Sequence, residues 1–65
     1  MNDKHKVVIA SSNMIHITNT DIHAIKDNDS PRWRIYSGDV WYDSADNDAI
    51  AMAKLQDILE GMTNE

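Results

Sequence analysis

Histidines and carboxylates are the residues of this chain whose side chains could hold a metal ion. His5, His16 and His23 are available, and Asp21 precedes the third histidine by two positions. Zinc-binding motifs have characteristic ligand spacings, and none of them occurs here. The chain has no cysteine, so a zinc site would have to use histidine and carboxylate ligands alone. The spacing therefore predicts no metal site and no cofactor.

Catalytic and phosphate-binding motifs are the next chemistry to consider. Asp43, Asp46, Asn47 and Asp48 resemble a calcium loop in composition only, since the twelve-residue frame with its terminal glutamate is missing. The chain has two glycines, which are too few for a glycine-rich phosphate loop. No motif positions a serine, a histidine and an aspartate together. We therefore predict that the protein is not an enzyme.

The segment from residue 32 to residue 41 concentrates side chains of the kind that bind ligands and proteins. Arg32, Arg34 and Tyr36 occupy alternate positions, and Trp41 follows a turn. Trp, Tyr and Arg contribute much of the binding energy at interfaces, and an arginine can stack on an aromatic ring or a base. These four residues form our predicted binding surface.

A hairpin places these four residues on one face. Gly38-Asp39 is typical of a two-residue turn, because glycine tolerates a positive φ. With that turn, Tyr36 pairs with Trp41 and Ile35 pairs with Tyr42, and paired residues share a face. The opposite face is apolar, and we expect it to contact a helix; it consists of Trp33, Ile35, Val40 and Tyr42.

The predicted binding surface has three alternative roles that the sequence leaves open. It can be buried against a second copy of the chain, it can bind a partner or ligand, or it can pack across the strands of the sheet.

Two further strands and one ambiguous segment precede this hairpin. Val7 to Ala10 is rich in β-branched residues, and Met14 to Thr18 alternates with a period of two, so the turn Ser11-Ser12-Asn13 predicts a first hairpin. We also predict a strand over Ile22 to Lys26, although its isoleucines are three positions apart and suit a helical turn as well. Residues 27–31 form a loop, because Asn and Asp bond their own backbone and Pro31 cannot pair in a ladder.

The last segment predicts an amphipathic helix from Ser44 to Glu60, with Ser44 as the N-cap and Gly61 as the terminator. Its apolar stripe has helical spacing and consists of Ala45, Met52, Leu55, Ile58, Leu59 and Met62. Ile50 projects on the other side, next to Lys54. These two residues form a second candidate interface, although a single exposed isoleucine is common and needs no functional explanation.

Together these elements predict one α+β domain over residues 1–65. A small antiparallel sheet of three to four strands, arranged as two hairpins within residues 6–42, packs against one C-terminal helix over residues 44–60. Residues 1–5 are polar and expected to be frayed.

Size and charge limit the classes of partner. A chain of 65 residues buries about 60% of the surface that its unfolded form exposes, so self-association is the expected remedy for its small core. The net charge of −5 disfavours binding to duplex nucleic acid. No apolar run approaches the ~20 residues of a membrane span, and no signal-peptide pattern is present. We expect a cytoplasmic homo-oligomer.

One resemblance adds to this interpretation. The residues that carry it are Ile15-His16-Ile17, Asn19, Ile22, Ile25, Arg34-Ile35-Tyr36, Gly38, Trp41 and Asp43-Ser44. Their order resembles the layout of very small phage-encoded proteins and of flagellar FlbD-type proteins, in which a strand ends near Asn and a glycine hairpin precedes an acidic helix start. The resemblance implies a stand-alone accessory protein that occludes a host protein or sequesters a small ligand.

Three functions follow as hypotheses. The first is a non-enzymatic inhibitor or adaptor that docks onto a host protein. The second is a homo-oligomer that holds a nucleotide-like, anionic ligand between subunits, with arginine for the phosphate and Trp or Tyr for stacking. The third is a single-strand nucleic-acid binder, which the acidic net charge opposes.

Overall fold

The computed structural model describes residues 5–63. Five strands are followed by one helix, and their bounds are β1 Val7–Ser11, β2 Met14–Ile17, β3 Ile22–Lys26, β4 Trp33–Ser37, β5 Val40–Ala45 and α1 Asp48–Thr63. Of the segment expected to be frayed, only His5 is described, and its Nδ1 donates a hydrogen bond to the carbonyl of Thr18 (3.1 Å). The rest of that segment lies outside the described residues.

The five strands form one antiparallel sheet in the order β1-β2-β3-β4-β5, with α1 packed on one side. The predicted α+β class is confirmed, but the sheet has five strands rather than three to four. The difference comes from β3, whose isoleucine spacing also suited a helical turn. In the strand, Ala24 is fully buried, while Ile22 and Ile25 fall on opposite faces of the sheet, as strand geometry requires for residues three apart.

The hairpin of β4 and β5 begins as predicted and then departs from the prediction. Gly38 has a φ of 64°, and Ser37 pairs with Val40 and Tyr36 with Trp41. Ile35, however, pairs with Asp43, because a β-bulge makes Tyr42 an extra residue of β5. The expected core positions of Val40 and Tyr42 are therefore wrong: they are 65% and 60% exposed.

The core lies between the sheet and α1. Trp33 is packed opposite Ala45, and its indole Nε1 donates a hydrogen bond to Asp48 Oδ1 (2.8 Å). From the helix, Ala51 and Leu55 are fully buried. The buried set is apolar throughout and consists of Ile15, Ile17, Ala24, Trp33, Ile35, Ala45, Ala51 and Leu55.

Both ends of α1 differ from the prediction. Asn47 is the N-cap: its side-chain oxygen accepts a hydrogen bond from the N–H of Ile50 (2.9 Å), so the helix begins at Asp48. Ser44 and Ala45 belong to β5, because burial of Ala45 against Trp33 extends the strand. At the other end, Gly61 lies inside the helix, which continues to Thr63. No helix in the described part of the chain is both long and apolar enough to cross a membrane.

Candidate binding surface

The side of the sheet opposite α1, called the outer face below, carries one row of side chains that crosses all five strands. The cross-strand register pairs Val8 with His16, His16 with His23, His23 with Tyr36, and Tyr36 with Trp41. Paired residues share a face, so the five side chains stand side by side. A second row lies beside the first and consists of Met14, Ile25, Arg34 and Ser44.

The centre of the outer face is an aromatic pair. The rings of His23 and Tyr36 are stacked, with their centroids 5.5 Å apart and their planes 8° from parallel. The Nδ1 of His23 donates a hydrogen bond to the carbonyl of Asp21 (3.1 Å), which fixes the ring orientation. The two rings therefore form a flat, pre-oriented surface.

Trp41 extends this surface on the edge strand. Its side chain is 61% exposed, yet its indole N–H donates to the carbonyl of Asp43 (2.9 Å). Neighbouring Tyr42 is equally exposed but lies on the helix side, around a concavity with Lys54, Asp57 and Ile58. The two adjacent aromatic residues therefore lie on opposite sides of the sheet, as successive residues of a strand do.

The two predicted arginines lie at one end of the outer face. Arg34 belongs to the second row of the outer face and forms an ion pair with Asp27 (3.3 Å). Arg32 precedes β4 and forms an ion pair with Asp46 (3.5 Å). Both arginines and Trp41 line one concavity of about 220 Å³, which also includes Ser30 and Ser44. Of the four predicted residues, the structure brings these three together, and Tyr36 adjoins them on the outer face.

Sequence reasoning missed the half of the outer face that lies on the first three strands. Met14 and His16 were expected to share a face of their strand, but their alignment with Val8, His23 and Ile25 depends on the register between hairpins. No turn motif in the sequence predicts that register. The two histidines are polar, and histidine is not a residue type that marks an interface. The sequence therefore did not indicate that this surface extends across them.

The two residues of the second candidate interface, Ile50 and Lys54, differ in their contacts. Lys54 donates to Asp43 Oδ2 (3.1 Å) and to the carbonyl of Ser44 (2.8 Å), so it ties α1 to β5. Ile50 is 38% exposed. Lys54 thus has an internal structural contact that the sequence did not indicate.

The histidines and carboxylates of the described residues do not form a group of three or more that could hold a metal ion. His16 and His23 are cross-strand neighbours, and the shallow concavity beside them is also lined by Asp21 and Asp39. His23 already bonds the backbone through Nδ1 and stacks on Tyr36. These contacts make His23 part of the aromatic pair with Tyr36.

Comparison with known proteins finds no match to a family model, to a curated protein or to a solved structure. The resemblance to FlbD-type and small phage proteins therefore stays a prediction.

Proposed function

We propose that this protein is a non-enzymatic inhibitor or adaptor that docks onto a partner protein through its outer face and occludes the surface that it covers. The observation that carries the proposal is the row from Val8 to Trp41, which presents apolar and aromatic side chains on a sheet face that α1 leaves open. Trp41, Met14 and Val8 are 61%, 38% and 36% exposed. The row also contains His16 and His23, so the surface combines apolar, aromatic and polar side chains, as protein interfaces do.

The orientation of the aromatic side chains supports binding. Aromatic anchors contribute most when their rings lose little rotational freedom on association. His23 and Trp41 each have a ring N–H bonded to a backbone carbonyl, so both rings are held before a partner arrives.

The charges around the outer face favour a partner with a basic rim. Exposed aspartates flank both ends of the strands: Asp21 and Asp39 lie in turns at one end, and Asp27 and Asp29 lie in the loop at the other. The net charge of −5 has the same sign. Opposite charges at the rim of an interface mainly raise the association rate and select the partner.

A protein partner accords better with the arginines than a phosphate-bearing ligand does. Arg34 and Arg32 each pair with an aspartate, so an anion entering their concavity would have to compete with two carboxylates. Exposed ion pairs are weak and an anion could displace them, so nucleotides are tested as well.

The test compares Trp41→Ala with Tyr42→Ala, since the two residues are adjacent, equally exposed and on opposite sides of the sheet. Immobilised wild-type protein and both variants are incubated with cell lysate at low and high salt, and retained proteins are identified by mass spectrometry. We expect wild type and Tyr42→Ala to retain the same partner, Trp41→Ala to lose it, and high salt to weaken retention. Circular dichroism checks that both variants fold.

Two results would overturn the proposal. One is an identical set of retained proteins for all three chains. The other is a thermal shift of the wild type with mononucleotides that Trp41→Ala abolishes, together with no retained protein, which would assign the surface to a small anionic ligand.

A further inference from the structure

The two edges of the sheet are chemically different. β1 and β5 are the edge strands, and each has backbone groups without a neighbouring strand on one side. An unpaired edge is a template for pairing with another chain unless it is blocked. The features of each edge therefore decide which of them can accept a further strand.

The β5 edge is blocked. Tyr42 forms a bulge that interrupts the regular spacing of its backbone groups. The carbonyls of Asp43 and Ser44 already accept hydrogen bonds from the Trp41 indole (2.9 Å) and the Lys54 ammonium (2.8 Å). Bulges and charged side chains are the means by which proteins protect an edge from pairing.

In the part of the chain that the structure describes, the β1 edge is open from Val7 to Ile9, and the irregularity in its pairing with β2 lies beyond this stretch, between Ile9 and Ser11. The N–H of Thr18 donates to the carbonyl of Lys6 (2.9 Å), and the N–H of Lys6 donates to the hydroxyl Oγ1 of Thr18 (2.9 Å), so the backbone of Lys6 faces β2. The residues of an antiparallel strand alternate in this respect, so Val8 also directs its backbone toward β2. Val7 and Ile9 consequently direct their N–H and C=O groups away from the sheet. Their strand has no charged residue, and Ile9 is 64% exposed.

From this geometry we infer that β1 pairs in antiparallel fashion with β1 of a second copy, around a two-fold axis at Val8. Val7 of each chain then lies opposite Ile9 of the other. Each such pair exchanges two backbone hydrogen bonds, so the interface has four. The two Val8 side chains meet on the outer face, and each exposed Ile9 packs on Val7 of the other chain on the helix side.

A second copy fits this edge for two reasons. The outward residues Val7 and Ile9 are symmetric about Val8, so the strand is complementary to itself. Both chains carry a net charge of −5, yet residues 7–12 are uncharged, so two copies can approach here with little local repulsion. The groove next to β1 adds contact surface on the helix side; it is lined by the apolar residues Ile9, Ile15, Trp33 and Met52 and by the polar residues Ser11, Ser12 and Asp48.

Such a dimer is a continuous ten-stranded sheet. The two-fold axis is perpendicular to the sheet, so both helices lie on the same side and the two outer faces form one surface. The inference does not depend on the proposed function, because it rests on the backbone groups of β1; Val8 is the residue of the outer-face row that both surfaces share.

The experiment measures molar mass by light scattering over a range of protein concentrations for wild type, Ile9→Lys and Val40→Lys. Ile9 and Val40 are 64% and 65% exposed on opposite edge strands, so the two substitutions are matched in the isolated chain. We expect wild type and Val40→Lys to reach twice the 7.4 kDa of one chain, and Ile9→Lys to stay at one chain, because its lysines would be buried in an apolar contact.

Amide hydrogen exchange gives a second measurement that needs no variant. In the dimer the amides of Val7 and Ile9 have acceptors and exchange slowly, and dilution accelerates their exchange. A wild-type mass of one chain at millimolar concentration would overturn the inference. So would a dimer that Ile9→Lys leaves intact and Trp41→Ala dissociates, since that result would place the contact on the outer face.

Discussion

At the scale of single residues, Asp43 joins the edge strand to the helix. Its carboxylate accepts hydrogen bonds from the N–H of Ser44 (2.7 Å) and from the ammonium of Lys54 (3.1 Å). These two bonds stabilise the ionised form and hold the pKa of Asp43 below its usual value of 3.8. The bulge creates this contact, because it places Asp43 opposite Ile35 and on the same side as α1.

A pH dependence of stability follows for Asp43. Because its pKa is lower in the folded than in the unfolded chain, its stabilising contribution is complete above pH 3.8 and is lost as the pH falls through the folded-state pKa. We expect Asp43→Asn to be less stable than wild type at pH 7, with the difference shrinking in acid. Urea unfolding at a series of pH values measures it. A difference that is the same at every pH would contradict this role of the carboxylate.

The residues of the binding surface show how far local patterns reach. The turn at Gly38 correctly placed Tyr36 opposite Trp41, since a two-residue turn determines the pairs closest to it. The prediction failed at Tyr42, the next residue of the strand. No residue type in the sequence signals a bulge. Here the bulge accompanies the burial of Ala45 against Trp33, which is a tertiary contact.

At the scale of elements, the strands were predictable and the start of the helix was not. β-branched residues and period-two alternation located β1 and β2 within a residue of their ends, whereas the isoleucine spacing of β3 also suited a helical turn. Ser44, Asp46 and Asn47 all have side chains that cap helices, so composition cannot choose among them. The packing of Ala45 in β5 decides in favour of Asn47.

The cap assignment predicts losses of different size for two similar substitutions. Asn47→Ala removes the acceptor for the N–H of Ile50, and we expect a loss of about 1 kcal/mol in the free energy of unfolding. Ser44→Ala retains the backbone hydrogen bonds of β5, and we expect it to change the free energy of unfolding by less than about 0.5 kcal/mol. Urea denaturation of both variants gives the comparison. A larger loss for Ser44→Ala would show that the helix begins earlier than Asp48.

At the scale of the whole molecule, one helix on one side of a five-stranded sheet leaves the chain with a small core and a large open face. The overall class was predictable because the apolar stripe of the helix and the alternating strands require a two-layer arrangement. The outer face was only partly predictable, since it depends on the register of four strand pairs. Association through β1 or through the outer face would each add burial that a single copy lacks.

Dimerisation through β1 makes thermal stability depend on protein concentration. If unfolding also separates two chains, each tenfold rise in concentration stabilises the dimer by about 1.4 kcal/mol. Spread over two chains of this length, that raises Tm by about 5 °C. We expect this shift for wild type and Val40→Lys in differential scanning calorimetry, and a constant Tm for Ile9→Lys, because its lysines keep the edges apart. The same slope for all three chains would mean that any association uses a surface other than β1.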